Sequence, residues 1–525
     1  MTKKKNDETT TSTMTNTAPS NNTDSDSDED SPEQIRITLK PAKNVNDSSL
    51  IIPSCDDHPI AVPSTIRRKG LSAVINHLLD RHVVSDSDDD DSSSSSDSDD
   101  SDTPKEKKDD TTTQQRRLPS IPFDILLNDK LLRTSVTNAA RREGLTLENA
   151  VELHYFPAQR RPTGSGTSAA LPDWIAAMDY RRFSTDGGGG ALFTGGYDGT
   201  VRAFSSDGTE ITNGRSQGGP IKCLSCRYEE GVVQVATGSM DQTLVTHSYS
   251  VGDGTLRLEG LYSGGHFDAV TSVSFLDGSH YMASGDGSGG LCLWKVPDVS
   301  SLGDEGTAPE ETEGRDGSKK RRTNSSSSTS GTAATSNNIT TITPTATWKA
   351  HTHTISGLSW STATNPQKHL FSASWDYGLK VWDVERQDCL LTLNGSRVVS
   401  AFDKCVGAAG SSDVVATGHP DCTVRLWDMR VGGGKAGESK GVSESVFKPS
   451  HRAWVSAIKW SPNQPHVLAT NSYDGCVKLW DIRSSLPLHT VRAHAKGDKG
   501  LCLAFGDDNC LFSGGSDCIV KKFSF

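Results

Sequence analysis

Apolar residues are scarce in this chain of 525 residues, and aromatic residues are scarcer still. Hydrophobic side chains make up 33% of the sequence, and Phe, Trp and Tyr together make up 6%. This is too little apolar surface for a packed core along the whole chain, so we expect long parts of it to remain unfolded. The length still allows two or three domains, because a single core rarely grows beyond about 250–300 residues.

Three further absences narrow the class of protein. No apolar run approaches the roughly 18 residues that a membrane-spanning helix needs, so we expect no membrane partner. The first 20 residues are polar and lack the apolar stretch of a secretory signal, which favours a protein of the cell interior. The net charge of −12 argues against a surface that binds nucleic acid generally, although direct contact with RNA stays open.

Metal-ligating residues also lack a recognisable arrangement. Cys223 and Cys226 have CxxC spacing, but residues three apart on a strand point to opposite faces and cannot easily hold one ion. His351 and His353 have no further ligands at a spacing typical of metal sites. We therefore predict no cofactor, and we interpret the 11 cysteines as buried, reduced thiols.

Three segments have compositions typical of disorder. They are a polar tail at 1–33, an insertion at 85–117 that is dense in Asp and Ser, and a Gly/Ser/Thr-rich insertion at 301–345. None contains enough apolar residues to offset the entropy lost on ordering. The two insertions interrupt patterned sequence, so we expect them in surface loops, which tolerate added length because closure entropy grows only logarithmically.

The second insertion carries a basic cluster that consists of Lys319, Lys320, Arg321 and Arg322. In an exposed loop such a cluster is typical of a nuclear import signal, which predicts a nuclear protein. A solvated charge cluster without function is the alternative.

A sequence unit recurs from Trp174 to the end of the chain. Its clearest copy begins at His451, passes through an Asp-Gly turn at Asp474 and ends at Trp480-Asp481. Successive copies end at Phe204, His247, Trp294, Trp382, Trp427, Trp480 and Phe523. Apart from the interval that contains the second insertion, these ends lie roughly 43 to 53 residues apart, close to the ~40–45 residues of a WD repeat.

The unit resembles the WD-repeat family, and seven copies imply a seven-bladed β-propeller. The resemblance further implies that a histidine, a turn aspartate and a tryptophan are linked by hydrogen bonds inside each blade, as structural and not catalytic groups. Repeat three has Ser288 in place of the aspartate and repeat two ends in His247, so we expect both blades to be looser. The residues that fit the pattern are His351, Asp376 and Trp382 in repeat four, and His451, Asp474 and Trp480 in repeat six.

The two ends of the repeat region belong together in this interpretation. The last repeat stops at Phe525, one strand short of a four-stranded blade. We predict that residues 156–171 supply the missing outer strand, because closure removes the exposed edges of an open ring. The propeller is therefore expected to occupy 157–525.

Residues 34–156, without the acidic insertion, are predicted to form a small α+β domain. Alternating Ile35, Ile37 and Leu39 indicate a first strand, and we expect residues 59–62 to begin its hairpin partner. Apolar residues at helical spacing between Leu71 and Leu79 indicate a helix. A buried strand, a short helix and a last strand follow, at 123–127, 134–143 and 151–155. The order ββαβαβ is that of ubiquitin-like folds.

Two segments of this domain resemble the Notchless-like N-terminal domain. They are PSTIRRKGLSAVINHLL at 63–79 and FDILLNDKLLRTS at 123–135. Together with the seven repeats, the chain resembles the WD-repeat subunits of the PeBoW complex. The resemblance implies a factor for rRNA maturation and large-subunit (60S) assembly in the nucleolus and nucleoplasm. It implies binding to the block-of-proliferation protein and, through it, to the Pescadillo protein, and extraction from the pre-ribosome by midasin, an AAA-type ATPase.

The resemblance also gives one residue a chemical role. The family presents an acidic side chain just before the last strand of the N-terminal domain, and this side chain completes the coordination of a divalent cation held by midasin. In this sequence the position is Glu148, and a carboxylate oxygen is a suitable ligand for a hard cation such as Mg²⁺. The alternative is an ordinary solvated turn residue, and Glu143 and Glu152 are the nearby residues most easily mistaken for it.

Other functions fit the sequence less well. A Notchless-type assembly factor has a similar N-terminal domain but more repeats. A WD-repeat substrate receptor of a ubiquitin ligase is the third hypothesis, and the absence of an F-box-like helical segment weakens it. An enzyme is not favoured, because the glycine-rich segment 431–439 lacks the Ser or Thr after its Lys and the strand–loop–helix context of a phosphate-binding loop.

Overall fold

A computed structural model describes residues 34–42, 47–52, 58–79, 81, 119–168, 170–183, 189–229, 231–297, 340–361, 368–405, 414–429, 445–447, 450–507 and 509–525. The chain splits into two compact units, Met1–Ala158 and Gln159–Phe525. The predicted tail, the acidic insertion, the basic cluster and the glycine-rich segment 431–439 all lie outside the described residues.

The N-terminal unit is a five-stranded mixed sheet with two helices. The sheet has the order β2-β1-β5-β3-β4, in which β1 and β5 run parallel and the other neighbours run antiparallel. The predicted small α+β domain is therefore confirmed. Its strands are β1 (Gln34–Pro41), β2 (Ile60–Pro63), β3 (Phe123–Leu127), β4 (Lys130–Leu131) and β5 (Val151–Pro157), its helices are α1 (Arg68–Leu78) and α2 (Val136–Arg142), and a 3-10 turn spans Ser48–Leu50.

Local sequence explains most of these elements. Leu71 and Ile75 are fully buried on one face of α1, as the helical spacing predicts. Asn128 and Asp129 both have positive φ, 48° and 59°, and these two residues form the tight turn between β3 and β4. The short strand β4 was not predicted, because two residues are too few to show a period.

Asn76 fixes the segment that leads into β3 to helix α1. Its side-chain amide donates to the carbonyl oxygens of Ile121 at 2.7 Å and Ser72 at 2.8 Å, and its carbonyl accepts from the Ile121 N–H at 2.9 Å. Asn76 is only 5% exposed, so these bonds satisfy a polar group that burial would otherwise destabilise.

The second unit consists of seven sheets, each of which is one blade. The strands are, in blade one, β7 (Ile175–Arg182), β8 (Gly190–Gly196), β9 (Thr200–Ser205) and β10 (Glu210–Arg215); in blade two, β11 (Ile221–Glu229), β12 (Val232–Ser239), β13 (Leu244–Ser250) and β14 (Thr255–Tyr262); in blade three, β15 (Val270–Phe275), β16 (Tyr281–Asp286), β17 (Gly290–Lys295) and β19 (Ala346–Lys349); in blade four, β20 (Ile355–Trp360), β21 (His369–Ser374), β22 (Gly378–Asp383) and β23 (Asp388–Asn394); in blade five, β24 (Ala401–Lys404), β25 (Val414–Gly418), β26 (Val424–Asp428) and β27 (Ser445–Phe447); in blade six, β28 (Val455–Trp460), β29 (Val467–Ser472), β30 (Cys476–Asp481) and β31 (His489–Arg492); and in blade seven, β32 (Gly500–Phe505), β33 (Cys510–Gly515), β34 (Lys521–Ser524) and β6 (Thr163–Thr167).

The blades close into a ring. The innermost strands contact one another in the order β7, β11, β15, β20, β24, β28 and β32, and β32 in turn contacts β7. In the described part of the propeller each buried apolar cluster draws its residues from two neighbouring blades, so the core is a series of layers between blades. The mainly β, seven-bladed architecture predicted from the repeats is confirmed.

The closing strand lies where the sequence predicts it. Residues Thr163–Thr167 form β6, which pairs antiparallel with β34 as the outer strand of blade seven. The first and last parts of the propeller sequence therefore share one sheet. This pairing leaves β34 with no open edge.

The second insertion ends earlier than predicted. Thr340–Ile342 form strand β18, which pairs in parallel with Gly260–Tyr262 at the outer edge of blade two. Ile342 packs against the apolar cluster between blades two and three. The prediction of disorder up to residue 345 was therefore wrong at its end, because one apolar side chain between threonines is too weak a signal to indicate a strand.

Candidate interaction surfaces

The predicted blade residues are brought together as a hydrogen-bonded chain. In blade four, His351 Nδ1 lies 3.0 Å from Asp376 Oδ2, and His351 Nε2 lies 2.7 Å from Ser372 Oγ. The Trp382 indole N–H donates to the same hydroxyl at 2.9 Å. The hydroxyl that links histidine to tryptophan was missed in the sequence. The corresponding chain in blade six joins His451, Asp474, Thr470 and Trp480.

The protonation of these groups follows from burial and hydrogen bonding. Burial lowers the pKa of His351, and the neighbouring Asp376 only partly reverses that effect. Burial alone would raise the pKa of Asp376, but hydrogen bonds from the backbone N–H of Thr352 and from His351 outweigh it and lower the pKa. A neutral imidazole therefore faces an ionised carboxylate. This arrangement fixes the turn between the second and third strands of the blade.

Blade three contains a complete chain, contrary to the prediction. His266 Nδ1 lies 3.1 Å from Asp286 Oδ2, and both His266 Nε2 and the Trp294 indole N–H contact Ser284 Oγ, at 2.6 and 2.7 Å. Asp286 stands two residues before Ser288, and it accepts hydrogen bonds from the Ser288 N–H and hydroxyl. Aspartate and serine have exchanged places, so the expectation of a looser blade from Ser288 was wrong.

Blade two departs from the pattern, as the sequence predicts. His247 occupies the tryptophan position and is 2% exposed, and neither of its ring nitrogens has a hydrogen-bond partner within the described residues. Burial lowers its pKa to about 4. This histidine is a neutral, unsatisfied group in the core.

Glu148 lies in an exposed bend three residues before β5. The two acidic residues on either side of it are engaged in ion pairs, Glu143 with Lys130 at 2.8 Å and Glu152 with Lys40 at 2.9 Å. Glu148 itself has no ion pair or hydrogen bond to any residue that the structure describes. Of these three carboxylates, only that of Glu148 is free to meet an external partner.

The propeller carries a second feature, which we call the aromatic rim: the exposed Trp174, Trp454 and Tyr473 and the half-buried Tyr197. Trp174 and Trp454 precede the innermost strands of blades one and six, and Tyr197 and Tyr473 follow the second strands of the same blades. Their backbones are joined in the same way in each blade, Tyr197 N–H to Trp174 O and Tyr473 N–H to Trp454 O, both at 3.0 Å. Both pairs therefore lie on one face of the ring.

Other large apolar side chains continue this face. Trp375 in blade four holds the position equivalent to Tyr197 and stacks on His353 with ring centroids 5.7 Å apart. Tyr377 is 48% and Phe267 86% exposed. Exposed aromatic side chains on one face are typical of a protein interaction surface. These exposed aromatic residues were not predicted, although aromatic residues just outside the strands are a usable signal in the sequence.

Comparison with known proteins adds to this geometry. The model of the WD domain, G-beta repeat, matches residues 260–295, 342–383 and 442–481, and the model of the NLE (NUC135) domain matches residues 46–96. Similar curated proteins are each described as "Ribosome biogenesis protein WDR12 homolog". That of Chlamydomonas reinhardtii is 28% identical over 89% of this chain and 93% of its own length, that of Oryza sativa subsp. japonica 28% over 88% and 92%, and that of Nematostella vectensis 29% over 76% and 86%.

Along most of its length the chain is similar to the WD-repeat ribosome biogenesis proteins. The NLE match falls in the N-terminal unit, and the three matched repeats cover strands of blades three, four and six. The remaining blades have diverged further from the repeat pattern, so their number follows from the closed ring and not from the matches.

Three further observations concern metal binding, membrane-spanning helices and thiol chemistry. Within the described part of the chain, no group of three or more His, Cys, Asp or Glu side chains is placed to hold a metal ion, and neither helix is long and apolar enough to cross a bilayer. Cys223 and Cys226 are buried, and burial raises the pKa of Cys223 to about 12. Thiols with such pKa values are poor nucleophiles and poor metal ligands.

Proposed function

We propose that this chain is a ribosome biogenesis factor, a non-enzymatic scaffold required for rRNA maturation and for assembly of the large (60S) subunit, acting in the nucleolus and nucleoplasm. Its propeller binds the block-of-proliferation protein and, through it, the Pescadillo protein, as in the PeBoW complex. Midasin removes it from the pre-ribosome by engaging its N-terminal domain, which we assign to the ubiquitin-like folds because the sheet order places parallel first and last strands at the centre.

The observation that carries this proposal is the free carboxylate of Glu148. Mg²⁺ takes oxygen ligands in near-ideal octahedral geometry, and a site that lacks one ligand accepts a protruding carboxylate. A carboxylate already committed to a neighbouring lysine would first have to leave its partner, as Glu143 and Glu152 would. Glu148 is therefore the residue best placed to complete a metal site held by midasin.

The position of Glu148 also suits a pulling force. Its bend leads into β5, which pairs with β1 through Ile37–Val151 and the following residues and with β3 through Phe123–Pro157. A load applied at Glu148 enters the central strand of the sheet and is shared by hydrogen bonds on both of its edges. This geometry supports the use of the domain as a handle for extraction.

The seven blades favour a PeBoW-type subunit over a Notchless-type factor, which has more repeats. A ubiquitin-ligase receptor is less supported, because an F-box-like segment is helical. Both helices in the described residues belong instead to the core of the N-terminal domain. Affinity purification of the tagged chain tests the choice. Pescadillo-type proteins and large-subunit precursors are expected among the copurified proteins, whereas cullin components would contradict the proposal.

The basic cluster of Lys319, Lys320, Arg321 and Arg322 is proposed as the nuclear import signal, with Lys3, Lys4 and Lys5 as a second cluster that could replace it. Neutralising both clusters should leave the protein in the cytoplasm. If that variant still accumulates in nucleoli in cells depleted of its propeller partners, the assignment is wrong.

A further inference from the structure

We propose that the aromatic rim, together with Lys222 and Lys499, is a docking site for an acidic segment of a protein partner. The segment that fits is an extended peptide that combines several carboxylates with one or two large apolar side chains. This inference concerns one face of the propeller and does not depend on the role of Glu148.

The apolar half of the site consists of two aromatic pairs. Trp454 and Tyr473 stack with centroids 6.1 Å apart and an interplanar angle of 8°, and Trp174 and Tyr197 meet edge-on at 5.6 Å. Trp454 is 46% and Trp174 41% exposed, although each ring is held by its neighbour. Rings that are fixed before binding lose little entropy when a partner's side chain packs against them.

Blade seven separates the two pairs with smaller side chains. Its equivalent positions hold Lys499 and Ser516, whose backbones form the same hydrogen bond as Trp174 and Tyr197 do, here at 2.9 Å. A serine between two aromatic pairs lowers the surface between them. An apolar side chain of a partner can therefore enter between the Trp454 and Trp174 pairs.

The charged half of the site follows a repeated geometry, in which a lysine of one blade lies on a tyrosine of the preceding blade. Lys222 Nζ, from blade two, lies 4.7 Å from the ring centroid of Tyr197 and donates to its hydroxyl at 2.6 Å. Lys499 Nζ, from blade seven, lies 5.0 Å from the ring centroid of Tyr473. The rings hold both ammonium groups at the rim.

Neither ammonium group is neutralised by a carboxylate of the described residues. The turn carboxylates of blades one, six and seven form ion pairs with other residues: Asp198 with Arg202, Asp474 with His451, and Asp517 with His494 and Lys521. In a chain with a net charge of −12, two unpaired cations beside exposed aromatic rings are complementary to carboxylates.

These features favour a peptide over RNA. Proteins that bind single-stranded nucleic acid combine stacking rings with a continuous basic groove along the phosphates. Here two lysines flank the rings, and one face of Trp454 is already stacked on Tyr473. RNA is therefore the competing outcome of the test.

The test measures binding to the full-length chain by fluorescence anisotropy. Three labelled probes of equal length are compared: a 12-residue peptide of Glu and Asp with one Trp and one Leu, the same peptide with Gln and Asn in place of the acids, and a 12-nucleotide oligouridine. We expect the acidic peptide to bind most tightly and to weaken as salt rises. Lys222→Ala and Lys499→Ala should each weaken it about tenfold, as expected for loss of one charge-assisted contact.

Matched controls lie on the same face. Lys496 is an exposed lysine of blade seven outside the aromatic rim, and Trp375 is the equivalent aromatic residue of blade four, so Lys496→Ala and Trp375→Ala should leave the affinity unchanged. Lys222→Arg keeps the charge and should retain most of the binding. The thermal midpoint of each variant establishes that it is folded, and the lysine variants decide the test even if Trp454→Ala unfolds.

Three results would overturn the proposal. They are equal affinity for the acidic and neutral peptides, tighter binding of oligouridine than of the acidic peptide, and the same loss of affinity in Lys496→Ala as in Lys222→Ala. Absence of any binding of the acidic peptide to the wild-type chain would overturn it as well.

Discussion

The indole N–H of Trp480 donates to the hydroxyl of Thr470 at 2.9 Å, across ten residues of sequence. This bond ties the third strand of blade six to its second strand inside the core. The same bond at the same separation joins Trp294 to Ser284, Trp382 to Ser372 and Trp427 to Thr417. Blades one and seven have Phe204 and Phe523 at the tryptophan position, and blade two has His247.

His247→Phe should stabilise the propeller. Phenylalanine is accepted at the equivalent position of two other blades, and the substitution removes a buried imidazole whose nitrogens have no partner in the described structure. We expect a gain of about 1–2 kcal/mol in the free energy of unfolding, measured by urea denaturation. The control is His419→Phe, because His419 is equally buried but bonded to Thr417 Oγ1 and Val398 O, both at 2.8 Å. That variant should lose stability, and equal effects of the two substitutions would contradict the argument.

Stability should fall as the pH is lowered from about 6.5 to 4. The pKa of His247 is lowered by burial to about 4 in the folded protein, so the unfolded chain binds more protons across that range. Protonation therefore favours unfolding, with a loss on the order of 3 kcal/mol from this group over the full window. Urea denaturation at pH 7, 5.5 and 4.5 measures the loss. His247→Phe should be less sensitive to pH than the wild type, and an identical pH profile would count against a neutral, buried His247.

Asp286→Ala should destabilise blade three more than Ser288→Ala. Asp286 is 1% exposed and accepts hydrogen bonds from His266, from the Ser288 hydroxyl and from two backbone N–H groups, whereas the Ser288 hydroxyl makes one of those bonds. Losing a buried, charged acceptor costs about 2–4 kcal/mol, and losing the hydroxyl about 1 kcal/mol or less. Thermal denaturation of both variants tests the exchange of roles. The reverse ranking would restore Ser288 to the aspartate's role.

The closing strand should be needed for a monomeric propeller. A chain that begins at residue 170 lacks β6 and exposes the edge of β34, whereas a chain that begins at residue 159 keeps the pairing. We expect the shorter chain to unfold several degrees lower and to self-associate through the open edge. Calorimetry and light scattering provide the comparison. Equal thermal midpoints and the same oligomeric state for the two chains would show that the closing strand contributes nothing.

Much of the fold was predictable because the repeat is strong. The tryptophan–aspartate endings and the Asp-Gly turns recur at intervals of roughly 43 to 53 residues outside the second insertion, so the seven blades and the closing strand could be predicted by counting repeats. The exchange of Asp286 and Ser288 was not predictable, because the repeat pattern places the aspartate that bonds to the histidine at position 288 and not at position 286. The side chain two residues earlier points to the same face of the strand and reaches the same histidine.

The candidate site, too, could be predicted only in part from the sequence. The location of Glu148 before the last strand was visible in the sequence. The ion pairs that engage Glu143 and Glu152 join residues far apart in the chain, so only the folded domain distinguishes the three acids. The aromatic rim was missed because its residues lie at strand ends, where no hydrophobic period exists, and only the ring brings blades six, seven and one together.

We propose Glu148 as the ligand by which midasin grips this protein. The most direct measurement is binding of the full-length chain to the metal-binding domain of midasin, with Mg²⁺ or with a chelator, for the wild type and four variants. Glu148→Ala and Glu148→Gln should lose binding, and Glu148→Asp should keep part of it because its carboxylate is withdrawn by one methylene. Glu143→Ala removes a carboxylate that is already engaged in an ion pair within the domain, so this variant should bind as the wild type does. Metal-dependent binding that disappears only with Glu148 is the predicted result, whereas binding in chelator, or full-strength binding by Glu148→Ala, would contradict the account.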